Sequence, residues 1–198
     1  MNHLAHALLA DDTPGSIIGN LSGDFVRGPV DSRFAPQVAD GIRMHRKVDT
    51  FTDSNAIIRS GKKRFIGAHR RVAGIVLDVF YDHCLYLNWE SFSDEQFDAF
   101  CRRIYTTLNI HRPLAPEYFH DYIPRFIERD MLASCCTLEG VEAVIERLAT
   151  RWSNKPDMQR LLIAAGHDAR NQQAEIEADF LRFFPQLLEA TSANAETF

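Results

Sequence analysis

Seven residues within the first 83 positions have the types and spacing to do chemistry together: His6, Asp24, His45, Asp49, Asp78, Asp82 and His83. Imidazole nitrogen and carboxylate oxygen without thiolate form a donor set suited to Mn²⁺, Mg²⁺ or Fe in preference to structural zinc. His45–Asp49 and Asp78–Asp82 are i, i+4 pairs, so on a helix each pair shares one face and offers two ligands to one ion. His83 projects about 100° further round than Asp82 and need not face the same point. Each residue also has a reading without a metal. His6 can be a satisfied core histidine, and His45–Asp49 a hydrogen-bonded pair on a helix face. Asp78 is harder to explain that way, because a carboxylate in an apolar helix needs a buried cation and none lies at close helical spacing. Asp31, Asp40 and Asp53 read as caps or surface acids. There is no G-x-G-x-x-G, no P-loop and no G-x-S-x-G elbow, and Cys135-Cys136 lacks a clear histidine partner.

The elements that must position these groups read as helices. Val72 to Trp89 is almost continuously apolar, too long for a typical strand and free of proline, so it predicts a central buried helix beginning near Arg64, with Gly61 or Gly67 as the joint before it. His3 to Ala10 is a short helical segment. Ile17 to Arg27 carries glycines at a density that weakens a helix by about 1 kcal/mol each, and close backbone approach is the reason to keep them. From Pro36 the stripe Val38, Ile42, Met44, Val48 and Phe51 predicts a helix bearing His45 and Asp49. Ser54 is placed to cap a short helix over residues 55–60. Ser93 to Gln96 has capping-box form ahead of Phe97. Helices are expected around Pro124, after Thr137, from Pro156, and from Ala169 to Phe184, where Pro185 ends the last and Leu187 and Leu188 can add one more turn; the tail beyond Ala190 is expected to fray. No segment alternates with period two. The expectation is an all-α, single-domain bundle of eight or nine helices, with residues 1–90 carrying the site and 91–198 supporting it.

At 198 residues, with 45% hydrophobic and 25% charged content, the chain can bury a sizeable core without staples. No apolar run is long enough to span a membrane, the N-terminus has no basic region of a signal peptide, and four cysteines without a C-x-x-C pair read as reduced thiols of a cytoplasmic protein. The net charge of −5 hides an asymmetry: positions 27–71 hold eleven Lys or Arg against four Asp. That basic stretch suggests an anionic partner, or else solvated helix faces. The aromatics are spaced as helix cores, not as base-stacking platforms, so nucleic acid is not expected.

Taken together, Asn2-x-Leu4-Ala5-His6, Gly19-Asn20, Asp24-Phe25-Val26-Arg27-Gly28, Gly41-Ile42 with His45-Arg46-x-x-Asp49, Phe51-Thr52-Asp53, and Asp78 with Asp82-His83 and Trp89 resemble the acyl carrier protein phosphodiesterase family. Two departures are His3, where Phe is expected, and Ser54-Asn55, which lacks the His that often follows F-T-D. The resemblance implies a helical fold distantly like the HD-domain metal phosphohydrolases. It implies hydrolysis of the phosphodiester joining 4′-phosphopantetheine to a serine of holo acyl carrier protein, with Mn²⁺ or Mg²⁺. On that basis Asp24, His45 and Asp78 are the expected core ligands, with His6, Asp49 and Asp82 bound directly or through hydrogen bonds. Asp24, Asp82 and His83 are the expected catalytic groups, His83 protonating the leaving oxygen or orienting water. Arg27, Arg43 and Arg46 are the expected contacts to phosphate or to the acidic carrier. The rival readings are an HD-like nucleotide phosphohydrolase and a non-catalytic helical protein that binds an acidic partner.

Overall fold

A computed structural model describes residues 2–192. Ten α-helices account for its architecture, joined by five short 3₁₀ turns, and no strand occurs among the described residues. The helices are α1 (His3–Leu8), α2 (Pro14–Ser22), α3 (Pro36–Ser54), α4 (Ala56–Lys62), α5 (Ala73–Leu87), α6 (Phe97–Ile110), α7 (Glu117–Glu128), α8 (Leu138–Ala149), α9 (Pro156–Arg170) and α10 (Gln173–Ser192). The all-α expectation holds. No described helix is long and apolar enough to cross a membrane.

α5 is the axis. Val76, Leu77, Val79, Phe80, Tyr81, Cys84 and Leu85 are all buried, and the helix touches α1, α4, α8, α9 and α10. One hydrophobic core runs from Leu4 to Leu187 through it. A smaller cluster of Val26, Val30, Val38, Ala39 and Ile42 closes the far side of α3.

The α2–α3 crossing places the site. A Cβ on Gly19 would lie 2.3 Å from the Val38 carbonyl oxygen, and one on Gly41 would lie 2.5 Å from that of Ser16. The glycines that weaken α2 as an isolated helix therefore let two backbones touch, which is why α2 forms where propensity opposes it.

Boundaries shifted where local chemistry outcompeted the apolar pattern. α5 starts at Ala73, not near Arg64, because Gly67 takes a φ of 59° and residues 67–71 turn as a 3₁₀ segment. Asn55, not Ser54, caps α4 by accepting from the Ile57 N–H at 2.9 Å. Ser93 accepts from the Glu95 N–H and does not cap α6, whose N-cap is Gln96. The expected helix over 169–184 is divided between α9 and α10, and α10 continues through Pro185. The proline ring sits on the exposed side, while buried Leu187 and Thr191 hold the last turns in place, Thr191 Oγ1 donating to the Leu187 carbonyl at 2.9 Å. Most of the tail expected to fray, residues 193–198, lies outside the described residues.

Candidate metal centre

Three of the seven residues converge where α1, α2 and α3 meet. His6 from α1 and His45 from α3 stack with ring centroids 3.9 Å apart, and both rings are buried. Asp49, one turn beyond His45, faces both: its Oδ1 is 3.3 Å from His6 Nε2 and its Oδ2 is 3.2 Å from His45 Nε2. One ligand atom from each of the three falls within 4.8 Å of the others. Asp24 closes the group from the 3₁₀ turn after α2, its Oδ1 3.5 Å from His45 Nε2, with its side chain 73% exposed. It forms the solvent side of the cluster.

Asn20 orients both imidazoles. Its backbone carbonyl accepts from His45 Nδ1 at 2.7 Å, and its side-chain Oδ1 lies 3.3 Å from His6 Nδ1. Each ring therefore keeps its proton on Nδ1 and turns Nε2 to the carboxylates, the arrangement by which an outer partner prepares a metal-binding histidine. His6 Nε2 is buried and makes no hydrogen bond of acceptable geometry despite its closeness to Asp49. Burial lowers the His6 pKa to about 4, so its ring is neutral near pH 7 and a lone pair faces a carboxylate oxygen. Two acceptors so placed repel unless a cation lies between them. The residues fit a divalent ion.

His45 behaves differently without a metal. Burial disfavours its charged form, but hydrogen bonds to Asp24 and Asp49 outweigh that and push its pKa up to about 9. The hydrogen bond with His45 lowers the Asp24 pKa. Burial opposes ionisation of Asp49, yet His45 holds its carboxyl well below the usual range. A raised histidine pKa stabilises the fold fully below the unfolded value of 6.5 and no longer does so once pH has passed about 9. The melting temperature of EDTA-treated protein is therefore expected to fall between pH 6.5 and 9, and His45→Gln to flatten that slope. An equally steep slope in the variant would contradict the charged arrangement.

The α5 residues divide. Asp78 is within electrostatic reach of Asp49, and burial raises its pKa. Asp82 is turned to α1, where its carboxylate accepts from the N–H groups of Leu4 at 2.8 Å and Ala5 at 3.3 Å. It caps the helix that carries His6, at the cost of burial that pushes its pKa up to about 7. Asp82→Ala should lower stability by about 1–2 kcal/mol, in the range of a lost helix cap, with weaker Mn²⁺ binding because α1 loosens. Asp82→Asn, which keeps an acceptor, should lose less; thermal melts and metal titration would show the order. His83 points into the C-terminal half, its Nδ1 2.7 Å from the Cys135 carbonyl and its Nε2 3.5 Å from Gln173 Nε2. It does not join the cluster, as its position round α5 implies.

Among the arginines, Arg27 is exposed with no ion pair among the described residues and lines a groove beside Asp24. Arg43 is held by Asp31 and Asp40. Arg46 donates to the Val26 carbonyl at 2.9 Å and pins the segment bearing Asp24. Asn20 and Gly23 were not singled out from the sequence as site residues. Their signal was an amide on the apolar face of I-I-G-N-L-S and a glycine with no turn to make.

An all-α scaffold that gathers two oriented imidazoles and two carboxylates at one helix crossing has a donor set that can hold a divalent ion. The comparisons narrow it further. The profile of the acyl carrier protein phosphodiesterase family matches residues 1–187. A protein of Photorhabdus laumondii called acyl carrier protein phosphodiesterase is 32% identical over 96% of this chain and 94% of its own length. One of that name from Serratia proteamaculans is 33% identical, covering 96% of each. One from Escherichia coli O6:H1 is 31% identical over 98% of this chain and its own full length. The chain belongs to the acyl carrier protein phosphodiesterase family and is an enzyme, a hydrolase of a phosphodiester. No solved structure matches it.

Proposed function

We propose that the protein hydrolyses the phosphodiester between 4′-phosphopantetheine and a serine of holo acyl carrier protein, using Mn²⁺ or Mg²⁺ on a helical scaffold distantly like that of the HD phosphohydrolases. The convergence of His6 Nε2, His45 Nε2 and the Asp49 carboxylate carries this reading, and the names of the relatives supply the substrate. These three groups would hold the ion, with Asp78 close by on α5. A divalent cation at this position lowers the pKa of water and offsets phosphoryl charge.

The chain's own groups do the rest. Asp24, ionised and open to solvent, accepts a hydrogen bond from the attacking water and aims it at phosphorus. The water oxygen bonds to phosphorus as the bond to the serine oxygen breaks, and the proton that water gives up ends on that serine oxygen, leaving apo carrier and 4′-phosphopantetheine. Arg27 beside Asp24 neutralises a phosphate oxygen. Arg46 fixes the Val26 carbonyl and so the reach of Asp24. The excess of Lys and Arg over positions 27–71 steers an acidic carrier. The reaction is placed in the cytoplasm, where such a carrier would be met.

Purified protein, holo carrier and Mn²⁺ should yield a carrier lighter by the 4′-phosphopantetheine group in intact-mass spectrometry. Retention of that mass with fresh metal present would refute the reaction.

A further inference from the structure

A groove of about 980 Å³ opens directly beside Asp24, between the segment 24–34 and α7. We propose that it receives the pantetheine arm of the substrate, with Tyr118 and Arg125 as specificity-determining residues; the inference rests on the function proposed above. Neither residue belongs to the motifs that carry the family resemblance.

Continuity comes first. Asp24 lines the groove and also lies 3.5 Å from His45 Nε2, so a phosphate at the cluster has its substituent leading into this space. The volume is that of a small-molecule site. Its floor is rigid: Phe25 packs on Phe119 and Tyr122 at 5.3 and 5.4 Å between centroids, and Tyr122 packs on Phe126 in the core. The opposite wall is ordered by Arg33, which donates to the carbonyls of Arg27 and Pro29 and lies 5.1 Å from the Phe34 ring centroid.

Charge then selects the occupant. Arg27, Arg33 and Arg125 are balanced by Asp24, Glu117 and Asp121 along the lining. An anionic protein surface would call for an excess of cations. A linear chain with two amides and a terminal thiol, uncharged past its phosphate, suits a lining whose charges cancel and that sets Phe25, Val26, Phe34, Pro116, Tyr118 and Tyr122 among groups able to hydrogen-bond an amide. Tyr118 is 76% exposed, its ring left in water on α7. Arg125, one helical repeat of seven residues further on, is exposed with no ion pair among the described residues. Together they cover one side of an extended chain, the ring by packing and the guanidinium by donating to an amide oxygen.

Calorimetry of free 4′-phosphopantetheine in the presence of Mn²⁺, alongside holo-carrier kinetics, tests this in wild type, Tyr118→Ala and Arg125→Ala. Both side chains are exposed, so both variants should fold. The dissociation constant of the free compound should rise about fivefold or more in each variant, and KM for holo carrier should rise in step while kcat changes less. A rise in KM with an unchanged dissociation constant would mean protein docking and would overturn the proposal. So would no change in either quantity, or a mononucleotide that binds the wild type more tightly than 4′-phosphopantetheine does. Absence of turnover by the wild type would refute the reaction itself, a result separate from any effect of the variants on binding.

Discussion

Replacing His45 by Gln is expected to lower kcat/KM on holo carrier by about a thousandfold or more, which corresponds to roughly 4 kcal/mol of transition-state stabilisation. The size follows from how many things one ring does. His45 Nε2 meets both Asp24 and Asp49, its Nδ1 is committed to the Asn20 carbonyl, and its face stacks on His6. Glutamine can reach one of these partners but cannot present a lone pair in the place of Nε2 while donating to Asn20. Mn²⁺ content by elemental analysis should drop with activity. The fold should survive, because Leu4, Ile18, Ile42 and Val48 around the cluster remain packed. A variant that keeps its metal and loses activity would move His45 from ligand to catalytic group. One that keeps both would remove it from the site.

The helical class was legible in the apolar periodicities, and the central place of α5 in its composition. What the sequence could not resolve was direction. Asp78 and Asp82 share an i, i+4 spacing that suits two ligands for one ion, but Asp82 meets the N–H groups of Leu4 and Ala5 in the first turn of α1. Nothing local to α5 says that the start of another helix will dock there, since that depends on the path of the chain between residues 8 and 73. His45–Asp49 was legible because both members lie on one helix whose apolar stripe fixes its rotation. His6 and His45 are candidates from the sequence, but their shared partner Asn20 is not. A buried amide has no sequence signature apart from its apolar neighbours. The boundaries that differ at Arg64, Ser93 and Pro185 share a cause: local start and stop signals are weak, so the turn at Gly67 with its φ of 59° and the packing around Leu187 decide where the helices begin and end.

A second substitution separates the geometry of the cluster from its chemistry. Gly23→Ala should lower kcat/KM by about a hundredfold, the scale of an ångström-sized misplacement at a reacting centre, although it removes no functional group. A Cβ at this position would lie 2.2 Å from His45 Cγ and 2.7 Å from His45 Cβ. Neither atom is the free end of a flexible chain, so the ring must swing or α3 must move. Swinging breaks the bond from Nδ1 to the Asn20 carbonyl and takes Nε2 away from Asp49. Gly19→Ala makes a different clash, against the Val38 carbonyl and the Gly41 Cα. There two backbones must part, and an overpacking cost of about 1–3 kcal/mol is expected. The two alanines should thus differ in kind. Gly19→Ala lowers the melting temperature by several degrees, at about 2–4 °C per kcal/mol for a chain of this size. Gly23→Ala melts close to wild type and loses Mn²⁺ affinity. If Gly23→Ala bound the metal normally and turned over normally, the position of His45 would not be what the α2–α3 crossing exists to hold.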